Sequence, residues 1–364
     1  MFPQLYVATR KGLFAFERAG AGPWRIACVS FLGHSVTTFL HDSRGGVFYA
    51  GLRLGHFGCK LHRSSDGHTW SECTAPPYPP QPAPANGNVD PHPWRLERIW
   101  CLEVDHESQN LWAGTIPGGL FRSADRGDSW EFVWSLWNRP ERRGWFGGGY
   151  DYPGIHSICI DPRDSRQIIV GVSVGGVWRT KDLGQTWEPC AEGMLAEYMP
   201  PEKQDDQNSQ DPHRVVQCPA APDWLWAQHH NGIYRSRDNA VSWESIGEAG
   251  PSTFGFAVAV HPSDPRTAWF APAVADQCRI PVDAQMVVTR TRDGGTSFAV
   301  LGKGLPSEQA YDLVYRHCLA LSSDGKLLAL ASTTGNLWVS DDEGDSWTTV
   351  SCNLPPIYGV RFEA

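Results

Sequence analysis

One short hairpin pattern occurs six times along this 364-residue chain, and it restricts the architecture more than any other feature. The copies run from Ser64 to Trp70, Ser123 to Trp130, Thr180 to Trp187, Ser236 to Trp243, Thr291 to Phe298 and Ser340 to Trp347. Each has a hydroxyl, an Asp two residues later, a turn containing Gly or Asn, then Ser or Thr and an aromatic. Successive closing aromatics stand 60, 57, 56, 55 and 49 residues apart. Repeats of that length build stacked or radial arrays, in which each unit buries its apolar face against the next.

The residue types explain the turn. Asp and Ser or Thr side chains accept hydrogen bonds from nearby backbone N–H groups and hold a tight reversal. Glycine supplies the positive φ that such a reversal needs, and the aromatic covers it from the side. The pattern resembles the Asp-box, or bacterial neuraminidase repeat. In that family the box joins the third and fourth strands of a propeller blade, on the side away from the pocket. The resemblance therefore implies that Asp66, Asp125, Asp182, Asp238, Asp293 and Asp342 form turns and take no part in catalysis. The first copy is one residue short, and the fourth has Asn239-Ala240 where Gly is expected. Both departures are expected to weaken the turn locally without changing the fold.

Upstream of each box lies a pair of alternating apolar segments, such as Leu111 to Gly114 before Gly119 to Arg122. The N-terminus has the same pair without a box, which makes seven units. Inner strands are expected at Val36 to Leu40, Ile99 to Val104, Ile155 to Ile160, Val215 to Cys218, Phe254 to Val260 and Cys318 to Leu321. The N-terminal unit lacks one, and Tyr358 to Phe362 has the missing pattern. The expectation is an all-β, seven-bladed β-propeller forming a single domain over residues 1–364. Its C-terminal strand closes the ring in the N-terminal blade and so removes an exposed edge.

Composition narrows the class further. Gly 37 and Pro 28 suit a turn-rich all-β array. No charged-then-apolar N-terminal segment and no run of eighteen apolar residues is present, so neither a signal peptide nor a membrane partner is expected. Ten cysteines are scattered singly, several in strands, which suits a reduced, cytoplasmic setting. The net charge of −9 argues against nucleic acid as a partner. Of the seventeen tryptophans, Trp94, Trp134, Trp137 and Trp145 fall in loops, where they either stack on a ligand or anchor the loop.

In a propeller the inner-strand starts, and the turns between second and third strands, share one face around the channel mouth. The three longest loops, 74–98, 131–154 and 188–214, all lead into inner strands; the second carries the glycine run from Gly147 to Tyr150. At those strand starts stand His34, Arg98, His156, His213, Arg214, Arg316, His317 and Tyr358, and the turns add Arg10, Arg53, His56, His229 and His230. Three readings follow. These groups tie down backbone carbonyls; or His156, His213 and His230 hold one divalent metal ion, zinc or similar, with an open position for water. Alternatively Arg98, Arg214 and Arg316, with His317, form a cationic ring for a carboxylate or phosphate, and His and Tyr act as acid and base.

The whole chain resembles a bacterial group of stand-alone seven-blade proteins labelled sialidase-like or glycosyl-hydrolase-like. The likeness sits at Ile155 to Ile158, His213-Arg214, Gln228 to Arg235, Phe254 to Phe256 and Ala310-Tyr311. It implies a chemical role for His156, His213, Arg214, His230 and Tyr311, with His156, His213 and Tyr311 as the catalytic set. A true sialidase is not implied, because the only Arg-Ile-Pro, at Arg279-Ile280-Pro281, lies in the sixth unit and not near the N-terminus. The functional expectation is a soluble hydrolase-type enzyme acting on a small polar molecule or glycan in a His/Arg-lined funnel. The alternative is a non-catalytic propeller that binds a ligand or a protein partner.

Overall fold

The structure is a computed structural model that describes residues 4–83, 89–105, 107–147 and 150–363. Gly148 and Gly149 of the glycine run lie outside those residues. Seven four-stranded antiparallel sheets follow one another around a central channel. Blades 2 to 7 take their four strands consecutively from the chain. Their inner strands are Ser35–Asp42, Arg98–Val104, Ile155–Ile160, Pro212–Cys218, Gly255–Val260 and Leu319–Leu321. Helix is confined, among the described residues, to one α-turn at Trp134–Trp137 and short 3-10 turns.

Blade 1 is built from both ends of the chain. Ile357–Phe362 pairs antiparallel with Gln4–Thr9, in the register Val7 to Val360, and becomes the inner strand of that sheet. The unpaired N–H and C=O groups of an open edge are thereby satisfied within the chain.

The blades pack face to face, so strands are buried on both sides and read as continuous apolar runs rather than alternating ones. Leu111–Ile116, Ile168–Val172 and Gly176–Thr180 are buried at every position. Trp112, Trp178, Trp226, Trp269 and Trp338 are all within 1 % of complete burial and fill the gaps between blades. Trp226 Nε1 donates to the Pro265 carbonyl and Trp269 Nε1 to the Glu343 carbonyl, each in the following blade. These two rings thus meet their polar requirement across the interface they fill.

All six hairpins close as their chemistry requires. In the second, Ser123 Oγ donates to Asp125 Oδ1 at 2.8 Å and accepts the Gly127 N–H at 2.8 Å. Asp125 Oδ1 in turn accepts the Ser129 N–H at 2.8 Å. The short first copy makes the same bonds one residue earlier, through the Thr69 N–H. The fourth copy keeps them with Ala240 at φ 60°, where the other full-length copies place glycine at 84–93°.

One recurrent residue escaped the sequence reading. Arg63, Arg179, Arg235 and Arg290 each stand directly before the box hydroxyl and donate to a carbonyl in the next blade's box turn. These guanidiniums act as struts between neighbouring blades.

Candidate functional site at the channel mouth

Because the strands alternate in direction, the box hairpins lie at one end of the channel and the inner-strand starts at the other. A cavity of about 160 Å³ opens at the inner-strand-start end, lined by Arg98, Trp100, Tyr150, Arg279, Tyr315, Arg316, His317 and Tyr358. Its walls come from blades 1, 3, 6 and 7 and from the loop preceding blade 4.

Arg316 is the central group. It is 5 % exposed, and its Nε and Nη2 have no hydrogen-bond partner among the described residues. The guanidinium lies 4.9 Å from the centre of the Trp100 ring and 5.4 Å from that of Phe256. Burial pulls its pKa below the usual range, and the Asp211 carboxylate opposes that shift; the group still carries its charge. Arg98 is 7 % exposed, donates from Nη1 to the Tyr150 hydroxyl at 2.7 Å, and has an unpartnered Nε. Tyr358 covers its guanidinium at 4.9 Å. Arg279 is paired with Asp276 and lies 5.3 Å from the Phe256 ring.

Arg214 stands elsewhere. Its Nη1 donates to the His156 carbonyl at 2.9 Å, and its side chain lines the opening at the opposite end of the channel with Glu103 and Arg361. The inner strand of blade 5 begins at Pro212, three residues before the expected Val215. Arg214 and His213 are therefore successive strand residues, and successive strand side chains point to opposite faces. Arg279, which sequence reading used only to argue against a sialidase, occupies the third cationic place.

The imidazoles also separate. His317 Nε2 bonds the His156 carbonyl at 2.8 Å. His156 is fully buried, with Nδ1 on Ser157 Oγ at 2.9 Å, Nε2 unpartnered and its ring edge-on to Trp100. Burial first, and then the Arg316 charge, hold its pKa well below normal, so it is neutral. Tyr311 is 61 % exposed and is not among the residues that line the mouth cavity. His34, His56, Arg10 and Arg53 are exposed.

A second cluster lies beside the cavity in blade 5. Asp211, His213 and His230 bring one carboxylate oxygen and two ring nitrogens within 4.8 Å of one another. Asp211 precedes the inner strand and His230 sits in the turn after Ala221–His229. Asp211 takes the place that sequence reading gave to His156; the signal available was its position two residues before His213. Burial alone would raise the Asp211 pKa, but His213, His230 and Arg316 outweigh it and hold the carboxyl well below its usual range. Burial lowers the pKa of His213 despite the neighbouring carboxylate. The ring nitrogens of His229 each lie 3.0 Å from a backbone amide, those of Asp211 and Asn231, of which a neutral imidazole accepts one, and burial pushes its pKa down to about 3, so it is scaffold.

The loop tryptophans anchor. Trp137 and Trp145 are each 2 % exposed. Trp137 also carries the buried Arg142–Asp90 pair, with the guanidinium 4.0 Å from its ring centre. Trp134, at 46 % exposure, is the one with a free face.

No family model matches the chain. A curated protein, the oligoxyloglucan-reducing end-specific xyloglucanase of Emericella nidulans, is 32 % identical over 83 residues, 22 % of this chain and 9 % of its own length. This chain therefore spans a small part of that relative. Among solved structures, an ancestral GH74 enzyme matches at TM-score 0.56 and 17 % identity, over 86 % of this chain and 38 % of that one. A putative 6-phosphogluconolactonase from Bacteroides uniformis matches at 0.62 and 11 %, over 99 % of both chains. YCF48 bound to D1 peptide matches at 0.50 and 15 %, over 83 % of this chain and 77 % of that one. At these identities the likeness establishes the propeller fold, and folds of this kind carry many functions.

Proposed function

We propose that this propeller is a soluble hydrolase-type enzyme whose substrate is a small sugar-like anion, held by its carboxylate or phosphate in the mouth cavity. The observation that carries the reading is Arg316. A buried guanidinium whose Nε and Nη2 lack partners costs several kcal/mol unless a counter-charge arrives. Arg98 adds a second unpartnered donor, and Arg guanidiniums bind carboxylate and phosphate oxygens through paired N–H groups. Tyr150, Tyr358 and Trp100 offer the aromatic walls on which sugar rings pack.

Size narrows the substrate. A volume of about 160 Å³ is below the roughly 300 Å³ at which drug-sized sites begin, so a single anionic unit fits and a glycan chain does not. In this reading Arg98 and Arg316 bind substrate, with His317 behind them. His156, neutral and with a free Nε2 but fully buried outside the cavity lining, is the candidate proton acceptor once the mouth rearranges, while His213 acts from the neighbouring cluster. Tyr311 and Arg214 join only if the mouth rearranges on binding. The ten cysteines, all free thiols, suit a reducing, cytoplasmic setting.

The second reading, a partner-binding propeller, rests on a separate observation. Loops and turns of the mouth face expose Phe57, Phe146, Leu195, Tyr198 and Tyr311, an apolar set of the kind that marks contact surfaces.

Isothermal titration with inorganic phosphate, D-glucuronate and D-glucose tests the first reading, alongside turnover of 4-nitrophenyl glucuronide and of phosphorylated sugar lactones. The two anions should bind, glucose should not, and Arg316→Met should weaken the anions by about tenfold or more. Equal binding of glucose, or unchanged phosphate binding in the variant, would overturn it.

A further inference from the structure

We propose that Asp211, His213 and His230 form a binding site for one divalent metal ion of the zinc class, with a coordination position left for water. The argument begins with a proton. His213 Nδ1 lies 2.6 Å from the Gly255 carbonyl, which can only accept, so Nδ1 carries the hydrogen. His213 Nε2 then presents a lone pair, and it faces the carboxylate Oδ2 of Asp211 at 3.4 Å. His230 Nδ1 stands 3.5 Å from the same oxygen.

Two acceptors that face one another repel unless a proton or a cation lies between them. The distances separate those cases. A charge-assisted hydrogen bond between an imidazolium and a carboxylate closes to about 2.7–2.9 Å. Ligands at about 2.0–2.1 Å from a tetrahedral ion stand about 3.4 Å from each other. The two carboxylate–imidazole separations match edges of a coordination tetrahedron and are long for a shared proton, and all three ligand atoms lie within 4.8 Å of one another.

The surroundings are those of a built site. Asp211 is 3 % exposed and His213 2 %. Asp211 Oδ1 accepts the Val174 N–H at 3.1 Å, which aims Oδ2 at the two imidazoles. Val174 has φ 39°, a left-handed value costly for a β-branched residue, and the carboxylate holds it there. A carbonyl behind His213 and an amide behind Asp211 are the outer partners that orient metal ligands. Phe256 stacks on His213 at 4.4 Å and fixes the ring plane. His230, with 21 % of its side chain exposed, leaves a way in from solvent.

Three protein ligands with an open position hold a water whose proton is lost to solvent near neutral pH. That role, though not the binding itself, rests on the hydrolase reading above.

Untagged full-length protein, stripped with a chelator and exchanged into chelator-free buffer, would be titrated with zinc chloride by calorimetry and with cobalt(II) chloride by visible absorption. The expected result is one ion per chain, with the intense cobalt bands of a four-coordinate site. His230→Ala and Asp211→Asn should each weaken binding at least tenfold, and His230→Ala, at a half-open position, should keep the wild-type circular dichroism. Absence of stoichiometric binding in the wild type, or undiminished binding by a folded His230→Ala, would overturn the proposal. Phosphate titrations of the metal-free protein report on the arginine cavity alone, so each reading can fail without the other.

Discussion

Phe256 lies 4.4 Å from His213, ring centre to ring centre and 15° from parallel, while the Arg316 guanidinium sits 5.4 Å from the same ring. One aromatic side chain, 2 % exposed, therefore supports both the imidazole–carboxylate cluster and the cationic cavity. Phe256→Leu retains apolar bulk but loses the stacked face and the ring quadrupole. The expected outcome is a loss of about 1–2 kcal/mol in urea unfolding, with severalfold weaker phosphate binding in the folded variant.

The inter-blade struts should differ sharply from surface ion pairs of the same chemistry. Arg290, 6 % exposed, donates to the Glu343 carbonyl at 2.8 Å and meets Asp345, which is itself mostly solvated. Arg292 pairs with the Glu343 side chain in the open. Arg290→Met should cost about 2 kcal/mol, through loss of its charge-assisted hydrogen bond to a carbonyl that keeps only the Trp269 N–H. Arg292→Met should change stability by less than about 1 kcal/mol, because exposed pairs are screened. Equilibrium denaturation of the two variants checks the contrast.

The box aspartates make the molecule sensitive to acid. Hydrogen bonds from the Ser129 hydroxyl and amide pull the Asp125 carboxyl down to about 2, and the equivalent bonds from Ser297 pull Asp293 to about 2. In the unfolded chain these groups titrate near 4. Their stabilisation is therefore complete above about pH 4 and is lost as pH falls toward 2. Acid titration followed by tryptophan fluorescence should show a transition in that window, and Asp125→Asn with Asp293→Asn should make it shallower.

Backbone conformation separates the fourth box from the others. Gly127 holds φ 91°, outside the small left-handed region open to residues with a Cβ, whereas Ala240 at 60° lies within it. Gly127→Ala is expected to destabilise by about 1–2 kcal/mol. Ala240→Gly is expected to change stability by less than about 1 kcal/mol, since relief of the left-handed cost is offset by lost burial and added chain entropy. Thermal unfolding of both variants decides it.

The repeat, its period and the missing inner strand were legible without coordinates, because a hairpin turn and the alternation around it are local and recur with every blade. Blade number follows from that spacing, strand order from the resemblance of the hairpin to the Asp-box, and closure by Tyr358 to Phe362 from the inner strand that the first unit lacks. The cluster around the mouth depended on more than spacing. His213 and Arg214 are chain neighbours, yet His213 reaches the Gly255 carbonyl of blade 6 and Arg214 the His156 carbonyl of blade 4, because Pro212–Cys218 starts earlier than its apolar run suggests and consecutive side chains point to opposite faces of the sheet. Asp211 replaces His156 in the trio, and Arg279 joins Arg98 and Arg316, because a loop bends and a ring closes over distances no local pattern encodes. Sequence periodicity determined the scaffold through short-range hydrogen bonding. Which charges meet inside it was decided only when seven blades converged on one axis and buried them together.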